Sequence, residues 1–447
     1  MFDSVLVANR GEIAVRVIRT VQRLGMRAVA VHSVADSGAM HVRLADQAVE
    51  IGPADPAQSY RDIDRVLAAA RDTRAQAVHP GYGFLSENPA FARAVTAAGL
   101  TWVGPTPESI EAMGDKVAAR NLMSDAGVPV APGSRTAVVD LDAAVAEAAV
   151  VGYPLMVKAS AGGGGIGMTV VADEAALRAA FDGARTRAER VFGSPAILLE
   201  RFVPAARHVE VQLLGLADGR VVALGERDCS VQRRHQKVAE ETPSPGVDDR
   251  LRSRMLAAAL RAGEAIGYRG AGTVEFLVDV QGDSDFFFLE MNTRLQVEHP
   301  VTELVTGLDL VEEQLRIAGG QPPTFGAVPP VTRGHALELR VCAEDPRRFI
   351  PSPGPIRVWE QPSGEGIRVD AGYAAGDTVS QYYDSLMAKL CIWAPDRETA
   401  LRRAAEAVEA FVIEGPKTNL PFFTELLADP GFARGSYDTG LIDRMRA

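Results

Sequence analysis

Near its start the chain carries an apolar segment that ends in a polar turn, Ser4-Val5-Leu6-Val7-Ala8-Asn9-Arg10-Gly11-Glu12. The apolar part predicts a buried strand, and the residues after the turn predict a helix through Leu24. A second strand is expected at Arg27 to His32. Strand, helix and strand in this order are typical of a parallel sheet. The segment therefore predicts an α/β fold.

The same alternation continues for about a hundred residues. It predicts further strands at Ala77-Val78-His79-Pro80 and Leu100-Thr101-Trp102-Val103-Gly104, and two prolines follow soon afterwards. We expect residues 1–115 to form a first α/β domain. A smaller unit with a glycine-rich loop is expected from Gly127 to about Val203, and beyond it strands and helices mix in an α+β manner to the C-terminus.

The composition excludes several classes of protein. The 447 residues carry a net charge of −11, which argues against non-specific nucleic-acid binding, so an anionic substrate must be held by local groups of cations. Three widely spaced cysteines, Cys229, Cys342 and Cys391, make neither a disulfide framework nor a zinc motif, which favours a reducing cytoplasm. We expect no signal peptide and no membrane contact, since no stretch approaches the roughly 18 apolar residues of a membrane helix.

Lysine is scarce in this chain. Of its 47 basic residues only five are lysines, namely Lys116, Lys158, Lys237, Lys389 and Lys417. A lysine ammonium is a compact, strongly hydrated point charge that the planar fork of arginine does not replace. Each lysine is therefore a candidate site residue, although a compositional bias that spared five positions by chance is the alternative.

A glycine-rich segment begins at the second of these lysines, Lys158-Ala159-Ser160-Ala161-Gly162-Gly163-Gly164-Gly165-Ile166-Gly167-Met168. It matches G-x-G-x-x-G by spacing, but strand-forming residues follow it where a dinucleotide fold requires a helix. We interpret it as a flap between two strands, whose backbone amides close over phosphates while Lys158 supplies a positive charge. A plain mobile hairpin is the alternative.

Two predicted strands carry a pair of carboxylates, Gly272-Thr273-Val274-Glu275-Phe276-Leu277-Val278 and Phe286-Phe287-Phe288-Leu289-Glu290-Met291-Asn292. A hairpin with a symmetric loop at residues 281–284 places Val280 opposite Asp285 and Glu275 opposite Glu290. Like charges this close, about 5 Å apart at Cβ, destabilise a sheet unless a cation lies between them. With Asn292 they offer an all-oxygen site suited to magnesium that carries nucleotide phosphates. A solvated strand face is the alternative, and a β-bulge would shift the register.

The next residues are Thr293-Arg294-Leu295-Gln296-Val297-Glu298-His299-Pro300. In an extended segment Arg294, Gln296 and Glu298 project together, beside the expected metal. Arginine can bind two oxygens of a small planar anion, and a nearby carboxylate can take its proton. A structural ion pair between Arg294 and Glu298 is the alternative.

A dense basic run lies upstream, Arg227-Asp228-Cys229-Ser230-Val231-Gln232-Arg233-Arg234-His235-Gln236-Lys237. In an acidic chain it offers a local anion site, with a solvated basic face as the alternative. His208 and His235 are ambiguous by themselves, since a lone histidine is more often structural.

Further motifs accompany these, including His79-Pro80-Gly81-Tyr82-Gly83-Phe84-Leu85-Ser86-Glu87-Asn88, Met113-Gly114-Asp115-Lys116 and His335-Ala336-Leu337-Glu338-Leu339-Arg340. With them, the chain resembles biotin carboxylase, the ATP-grasp component of acyl-CoA carboxylases such as acetyl-CoA and propionyl-CoA carboxylase, from Val7 to its last residues. The resemblance implies an N-terminal Rossmann-like domain (1–115), an ATP-grasp region (116–317) with a mobile lid (about 130–203), and a C-terminal biotin carboxylase domain (330–440).

The resemblance also implies roles for individual residues. Those implied to bind ATP are Lys116, Lys158, Gly164, Gly165, Glu200, Arg201, Phe202, Val203, His208, His235, Glu275 and Glu290. Those implied to bind Mg²⁺ or Mn²⁺ are Glu275, Glu290 and Asn292. Those implied to bind bicarbonate are Lys237, Arg294, Gln296 and the backbone of Val297, and Arg340 matches the residue that contacts biotin.

The implied reaction is a ligase reaction that serves fatty acid biosynthesis. Glu298 deprotonates bicarbonate, which attacks the γ-phosphate of ATP to give carboxyphosphate. Carbon dioxide and phosphate then form, phosphate takes the ureido proton of biotin, and Arg294 with Arg340 stabilises the resulting enolate. Lys237 assists at the bicarbonate.

Two departures from the family pattern stand out. Ile166 replaces the cation that the family usually has in the glycine loop, so a lid contact is missing. The lysine between two methionines to which biotin is attached is absent, so biotin must arrive on a biotin carboxyl carrier protein unless the chain is a piece of a longer one. A carboxyltransferase subunit and a homodimer are the other expected partners. Alternative functions are another ATP-grasp carboxylate-amine ligase and a non-catalytic nucleotide-binding subunit.

Overall fold

The first part of the chain forms a parallel five-stranded sheet in the order β3-β2-β1-β4-β5. A computed structural model describes residues 2–160, 168–280 and 285–446. The elements of this part are β1 (Ser4–Val7), α1 (Gly11–Arg23), β2 (Arg27–Ser33), α2 (Met40–Leu44), β3 (Gln47–Gly52), α3 (Ile63–Asp72), β4 (Ala77–His79), α4 (Pro89–Ala97), β5 (Thr101–Trp102) and α5 (Pro107–Gly114). The predicted strand, helix and strand at the start are confirmed.

Helices cover both faces of this sheet, which explains why β1 is apolar throughout. Val5 and Val7 pack with Ile13 of α1 on one face. Leu6 packs with Phe91 of α4 and with α3 on the other. A parallel sheet buried on both faces has a continuous apolar run in place of the alternation of a half-exposed strand.

A small antiparallel sheet follows, in the order β7-β6-β8. The elements here are α6 (Lys116–Asp125), α7 (Leu141–Val151), β6 (Leu155–Ala159), β7 (Thr169–Val171), α8 (Glu174–Phe192) and β8 (Ile197–Arg201). The predicted strands on either side of the glycine loop pair with each other, Leu155 opposite Val171. The loop glycines Gly164 and Gly165, and Ile166, lie outside the described residues.

The largest sheet has eight antiparallel strands in the order β13-β12-β9-β10-β11-β14-β19-β17. Its first part contains β9 (Ala206–Gly215), β10 (Val221–Arg233), β11 (Gln236–Thr242), α9 (Asp249–Ala265), β12 (Gly270–Asp279), β13 (Phe286–Asn292), α10 (His299–Thr306) and α11 (Leu310–Ala318). Its second part contains β14 (His335–Cys342), β15 (Gly354–Pro355), β16 (Val358–Glu360), β17 (Ile367–Ala371), β18 (Thr378–Val379), β19 (Leu386–Ala394), α12 (Arg397–Ala410), β20 (Val412–Glu414), α13 (Leu420–Ala428), α14 (Pro430–Ala433) and α15 (Leu441–Arg446). The pairing of β11 with β14 joins both parts in one sheet.

The predicted hairpin of β12 and β13 is correct where the carboxylates lie and shifted elsewhere. Glu275 faces Glu290 as expected. Next to this pair Phe276 faces Phe288, because Leu289 is a bulge residue without a partner. The shift leaves the predicted pairing of Val280 with Asp285 wrong, since Asp279 N–H donates to the Asp285 carbonyl instead. The predicted loop at 281–284 lies outside the described residues.

Two further observations concern the whole described chain. Among the described residues, no helix combines the length and the apolar content needed to cross a bilayer. All three cysteines are described, and each is a free thiol.

Candidate active site

A row of charged side chains crosses four neighbouring strands of the large sheet. Arg227 on β10 lies opposite Glu210 on β9, Glu210 lies opposite Glu275 on β12, and Glu275 lies opposite Glu290 on β13. Directly opposed residues of antiparallel strands point to the same face. Three carboxylates are therefore brought side by side, and the burial of two of them requires cations nearby.

Lys237 on β11 supplies the central cation. Its Nζ donates to Glu210 Oε2 at 2.6 Å, to Glu275 Oε1 at 2.8 Å and to Glu298 Oε1 at 2.7 Å. An ammonium group has three donors, and all three are used here. Some side chains here, such as Glu210, Cys229 and Glu298, have atoms close enough together to bind a metal ion. Lys237 bridges the Glu210 and Glu298 carboxylates, and Arg227 and Arg340 add a second cation to each, so a metal ion is not needed at this point.

The charges shift the pKa values of the cluster in opposite directions. Burial would raise the pKa of Glu298, but Lys237 and Arg340 outweigh it and hold that pKa well below its usual value. Burial and the neighbouring Glu298 raise the pKa of Glu210. Burial would lower the pKa of Lys237, but the three carboxylates raise it well above its usual value. Glu298 and Lys237 are thus a stable ion pair.

Glu298 lies fully buried at the start of α10, between two cations. Its second oxygen accepts from Arg340 Nη2 at 2.9 Å, and Arg340 Nε donates to Glu240 at 2.7 Å. Burial raises the pKa of Glu240 to about 7. Arg340 bridges the two acids with one charge-assisted hydrogen bond to each, which keeps its guanidinium beside Glu298.

Arg294 is held by a different acid. Its Nε donates to Glu87 Oε2 at 2.9 Å, and its other nitrogens donate to Gln296 Oε1 and Asn292 Oδ1, each at 2.8 Å. The alternative ion pair between Arg294 and Glu298 is wrong, since each has another partner. The expected extended conformation is also wrong, because the segment is a turn that leads into α10. Arg294 and Gln296 still come together.

The basic run is buried at its start on β10 and exposed at its end, at Arg234 and His235. Arg227 is fully buried, where it binds Glu210 Oε1 at 2.6 Å and donates to Gln212 and Thr302. Arg233 lies over the ring of Phe349. Successive residues of a strand face opposite sides, so a run of cations along the chain is divided in space.

The two lysines that the resemblance implies to bind ATP lie at the start of α6 and on β6. Lys158 Nζ donates to Glu200 Oε2 at 2.5 Å, so the two residues expected at phosphate and adenine are paired with each other. Lys116 Nζ lies 3.8 Å from Glu290 Oε2. Arg201 donates to the Val151 carbonyl at 2.7 Å.

The two histidines differ. His208 is buried, and its Nε2 lies 2.8 Å from Glu275 Oε2. Burial would lower the His208 pKa, but Glu275 outweighs it and raises that pKa. His235 is exposed in the turn between β10 and β11, where its φ is 65°.

A cavity of about 800 Å³ collects the predicted residues. Its lining includes Lys116, Lys158, Glu200, Arg201, Phe202, Val203, His208, His235, Lys237, Glu275, Glu290, Asn292, Arg294, Gln296, Val297 and Arg340. Glu298 lies behind this wall. The volume is within the range of ligand pockets of about 300–1,000 Å³.

The residues expected at a metal fit one. Glu290 has a side chain that is 41% exposed, and Lys116 is its one described ion-pair partner, at 3.8 Å. Glu275, opposite it, is already bonded to Lys237, Asn292 and Gln296. The set is built from carboxylate and amide oxygens, which suits Mg²⁺ or Mn²⁺.

Several site residues were missed from the sequence. Glu210 and Glu240 reach the site only through strand pairing, although the polar alternation of β9 is a weak signal. Glu87 lies within a motif that was singled out as a whole. Lys389 was singled out by rarity, but its contact with the Val297 carbonyl, at 2.8 Å, depends on tertiary structure.

The small sheet β7-β6-β8, the lysines and the acidic row of this cavity define an ATP-grasp ligase. The chain belongs to the biotin carboxylase family. Family models match the biotin carboxylase N-terminal domain at residues 1–110, the ATP-binding domain of the carbamoyl-phosphate synthase L chain at 115–324, and the biotin carboxylase C-terminal domain at 338–444.

Individual relatives match over almost the whole chain. The biotin carboxylase of Halalkalibacterium halodurans is 50% identical over 442 residues, 99% of this chain and 97% of that protein. The crystal structure of a biotin carboxylase-β-γ-ATP complex from Campylobacter jejuni has a TM-score of 0.95 at 42% identity and covers 99% of both chains. The biotin carboxylase domain dimer of 2-oxoglutarate carboxylase from Hydrogenobacter thermophilus, with MgADP, ADP and bicarbonate, has a TM-score of 0.94 at 42% identity and covers 99% of this chain and 98% of that one.

Proposed function

We propose that the chain carboxylates biotin on a carrier protein, using ATP and bicarbonate and releasing ADP and phosphate. The observation that carries the proposal is the position of Glu298. It is a buried, ionised carboxylate between Lys237 and Arg340, behind the wall of an ATP-grasp cavity. A charged base between two cations suits a small anion that must enter the site and lose a proton there.

The first step takes place at Glu298. Its carboxylate accepts the proton of bicarbonate, and a carbonate oxygen forms a bond to the γ-phosphorus of ATP while the bond to ADP breaks. Lys237, Arg294, Gln296 and the Val297 backbone hold the anion in place. Because phosphoryl transfer requires positioning and charge stabilisation more than covalent help, these contacts are the main contribution of the protein.

The second step consumes the carboxyphosphate that the first one forms. It divides into carbon dioxide and phosphate, and the phosphate takes the ureido proton of biotin. The biotin nitrogen then bonds to carbon dioxide. Arg294 and Arg340 stabilise the negative oxygen of the ureido group, and arginine suits this role because it stays protonated.

In this proposal, separate sets of residues bind the nucleotide and the metal ion. Lys116, Lys158, His208, His235 and the segment from Glu200 to Val203 line the nucleotide side of the cavity. Gly164 and Gly165 are proposed to cover the phosphates. Glu275, Glu290 and Asn292 would hold Mg²⁺ or Mn²⁺, which supplies positive charge at the phosphates.

The division into 1–115, 116–317 with a lid at about 130–203, and 330–440 remains our proposal. Partners are proposed on the same basis. They are a biotin carboxyl carrier protein, a carboxyltransferase that selects the final acceptor, and a second copy of the chain. A dimer is described for the Hydrogenobacter thermophilus domain. Three free thiols suit the reducing cytoplasm in which we place the protein.

Bicarbonate-dependent ATP hydrolysis, measured with and without free biotin, tests the proposal. We expect biotin to stimulate hydrolysis. Stimulation by an amino acid instead would favour the carboxylate-amine ligase, and nucleotide binding without hydrolysis would favour a non-catalytic subunit.

A further inference from the structure

Lys389 is a fully buried cation that the proposed reaction does not use. It lies on β19, directly opposite Arg340 on β14 and Asp370 on β17. A buried ammonium is costly unless its donors are satisfied. The groups that contact the Lys389 ammonium therefore indicate its role.

The Lys389 ammonium joins two distant segments. Its Nζ donates to the Val297 carbonyl at 2.8 Å and lies 3.2 Å from Glu12 Oε2 at the start of α1. The other oxygen of Glu12 accepts from the Tyr82 hydroxyl, and Tyr82 lines the cavity. Lys389 thus connects α1, the large sheet and the turn before α10.

Neighbouring cations hold consecutive residues of that turn. Arg340 binds the side chain of Glu298, and Lys389 binds the carbonyl of Val297. On the other side, His299 Nδ1 lies 2.8 Å from the Gln296 carbonyl, to which it donates. Two successive carbonyls of the turn are thereby fixed, and with them the direction of the peptide groups between Gln296 and Glu298.

Lysine suits this position better than arginine. A compact ammonium can donate to a carbonyl and pair with a carboxylate on another side, whereas a guanidinium presents a planar fork. Burial would lower the Lys389 pKa, but Glu12, Glu338 and Asp370 outweigh burial and raise it, while burial raises the pKa of Glu12 to about 7 against the pull of Lys389. This accounts for a lysine in a chain that uses arginine almost everywhere else.

We propose that Lys389, paired with Glu12, is a positioning residue that fixes the Val297-Glu298 turn in the geometry that binds and deprotonates bicarbonate. The inference rests on the proposed roles of Val297 and Glu298. A displacement of about 1 Å at a reacting group lowers rates by about a hundredfold. Loss of the contact should therefore affect bicarbonate use and leave nucleotide binding intact.

The test compares Lys389→Met and the double variant Lys389→Met/Glu12→Gln with the wild-type chain. The double variant removes both charges of the Lys389–Glu12 pair and keeps an acceptor for Tyr82, so the Glu12 carboxylate is not left buried without its partner. Lys417→Met is the matched control, because Lys417 is 67% exposed and pairs with Asp345 at the surface. The readouts are kcat/KM for bicarbonate, ADP affinity by calorimetry, and Tm.

We expect kcat/KM for bicarbonate to fall ten- to a hundredfold in both Lys389 variants, with ADP affinity within twofold of wild type. Lys417→Met should match wild type in both. A folded double variant with wild-type kcat/KM for bicarbonate, or an equal loss of ADP affinity, would overturn the inference. Glu298→Gln is measured alongside: its full activity would overturn the proposed base, whereas an inactive Glu298→Gln beside a fully active double variant would overturn only the role of Lys389.

Discussion

Replacement of Lys237 by methionine should destabilise the protein in a pH-dependent way. The substitution keeps the length of the side chain and removes the ammonium that bonds Glu210, Glu275 and Glu298. Removing one partner of a buried ion pair costs about 3–5 kcal/mol, because the remaining charge stays buried. We therefore expect a loss of about 4 kcal/mol at neutral pH.

The expected change in Tm follows from the size of the chain. With an unfolding entropy of about 2.1 cal/mol/K per residue, 447 residues give about 0.9 kcal/mol/K, so a loss of about 4 kcal/mol lowers Tm by about 4 °C. Without the ammonium the pKa values of Glu210 and Glu298 in the folded state rise. Proton uptake then relieves the repulsion at low pH, so the deficit should shrink as pH falls from about 8 to about 5.5.

Thermal unfolding followed by circular dichroism at a series of pH values measures this deficit. Lys417→Met is the control, since an exposed ion pair contributes about 0–1 kcal/mol and its loss should shift Tm by about 1 °C or less. A deficit for Lys237→Met that matches the control, or one that grows as pH falls, would refute the reasoning.

Three further predictions concern other acids. Glu298→Gln should lower bicarbonate-dependent ATP hydrolysis by about 10²–10⁴-fold while calorimetry finds unchanged ADP binding; unchanged turnover would exclude a base at this position. Glu87→Gln should weaken the hold on Arg294 and lower the biotin-stimulated rate about tenfold, and a rate equal to wild type would show that Arg294 needs no such support. Glu241, whose pKa the pairs with His335 and Arg397 hold down at about 2 against the pull of burial, contributes stability that is fully present above about pH 4.5 and is lost as pH falls toward 2. In urea titrations the free energy of unfolding of the wild type should fall by about 2 kcal/mol more than that of Glu241→Gln between pH 5 and pH 3. An equal fall in both proteins would contradict this.

Local patterns in the sequence were sufficient to predict the first strand and helix and the one strand pairing that brings two carboxylates together. The apolar run at Ser4–Val7 and the helix after it were predicted because burial on both faces leaves a continuous signal. The position of Glu275 opposite Glu290 was predicted from a hairpin with a symmetric loop. The bulge at Leu289 was not, because one extra residue on a strand changes pairing without changing composition.

The contact partners of the charged residues could not be predicted from the sequence, because tertiary structure brings them together. Arg227 belonged to a run that resembled a basic surface, yet the alternation of β10 turns it into the core against Glu210. Lys389 was conspicuous by rarity, but its contact with Val297 joins residues 92 positions apart in the chain. Distant contacts of this kind depend on how β19 packs beside α10 and the turn before it, which no local pattern contains.

The most direct test of the proposed chemistry follows oxygen from bicarbonate. The chain is incubated with ATP, biotin and ¹⁸O-labelled bicarbonate, and the released phosphate is analysed by mass spectrometry. If a bicarbonate oxygen attacks the γ-phosphate, each phosphate carries one labelled oxygen, and Glu298→Gln releases almost none. Phosphate without label at the wild-type rate of hydrolysis would contradict the account, because water would then be the attacking group.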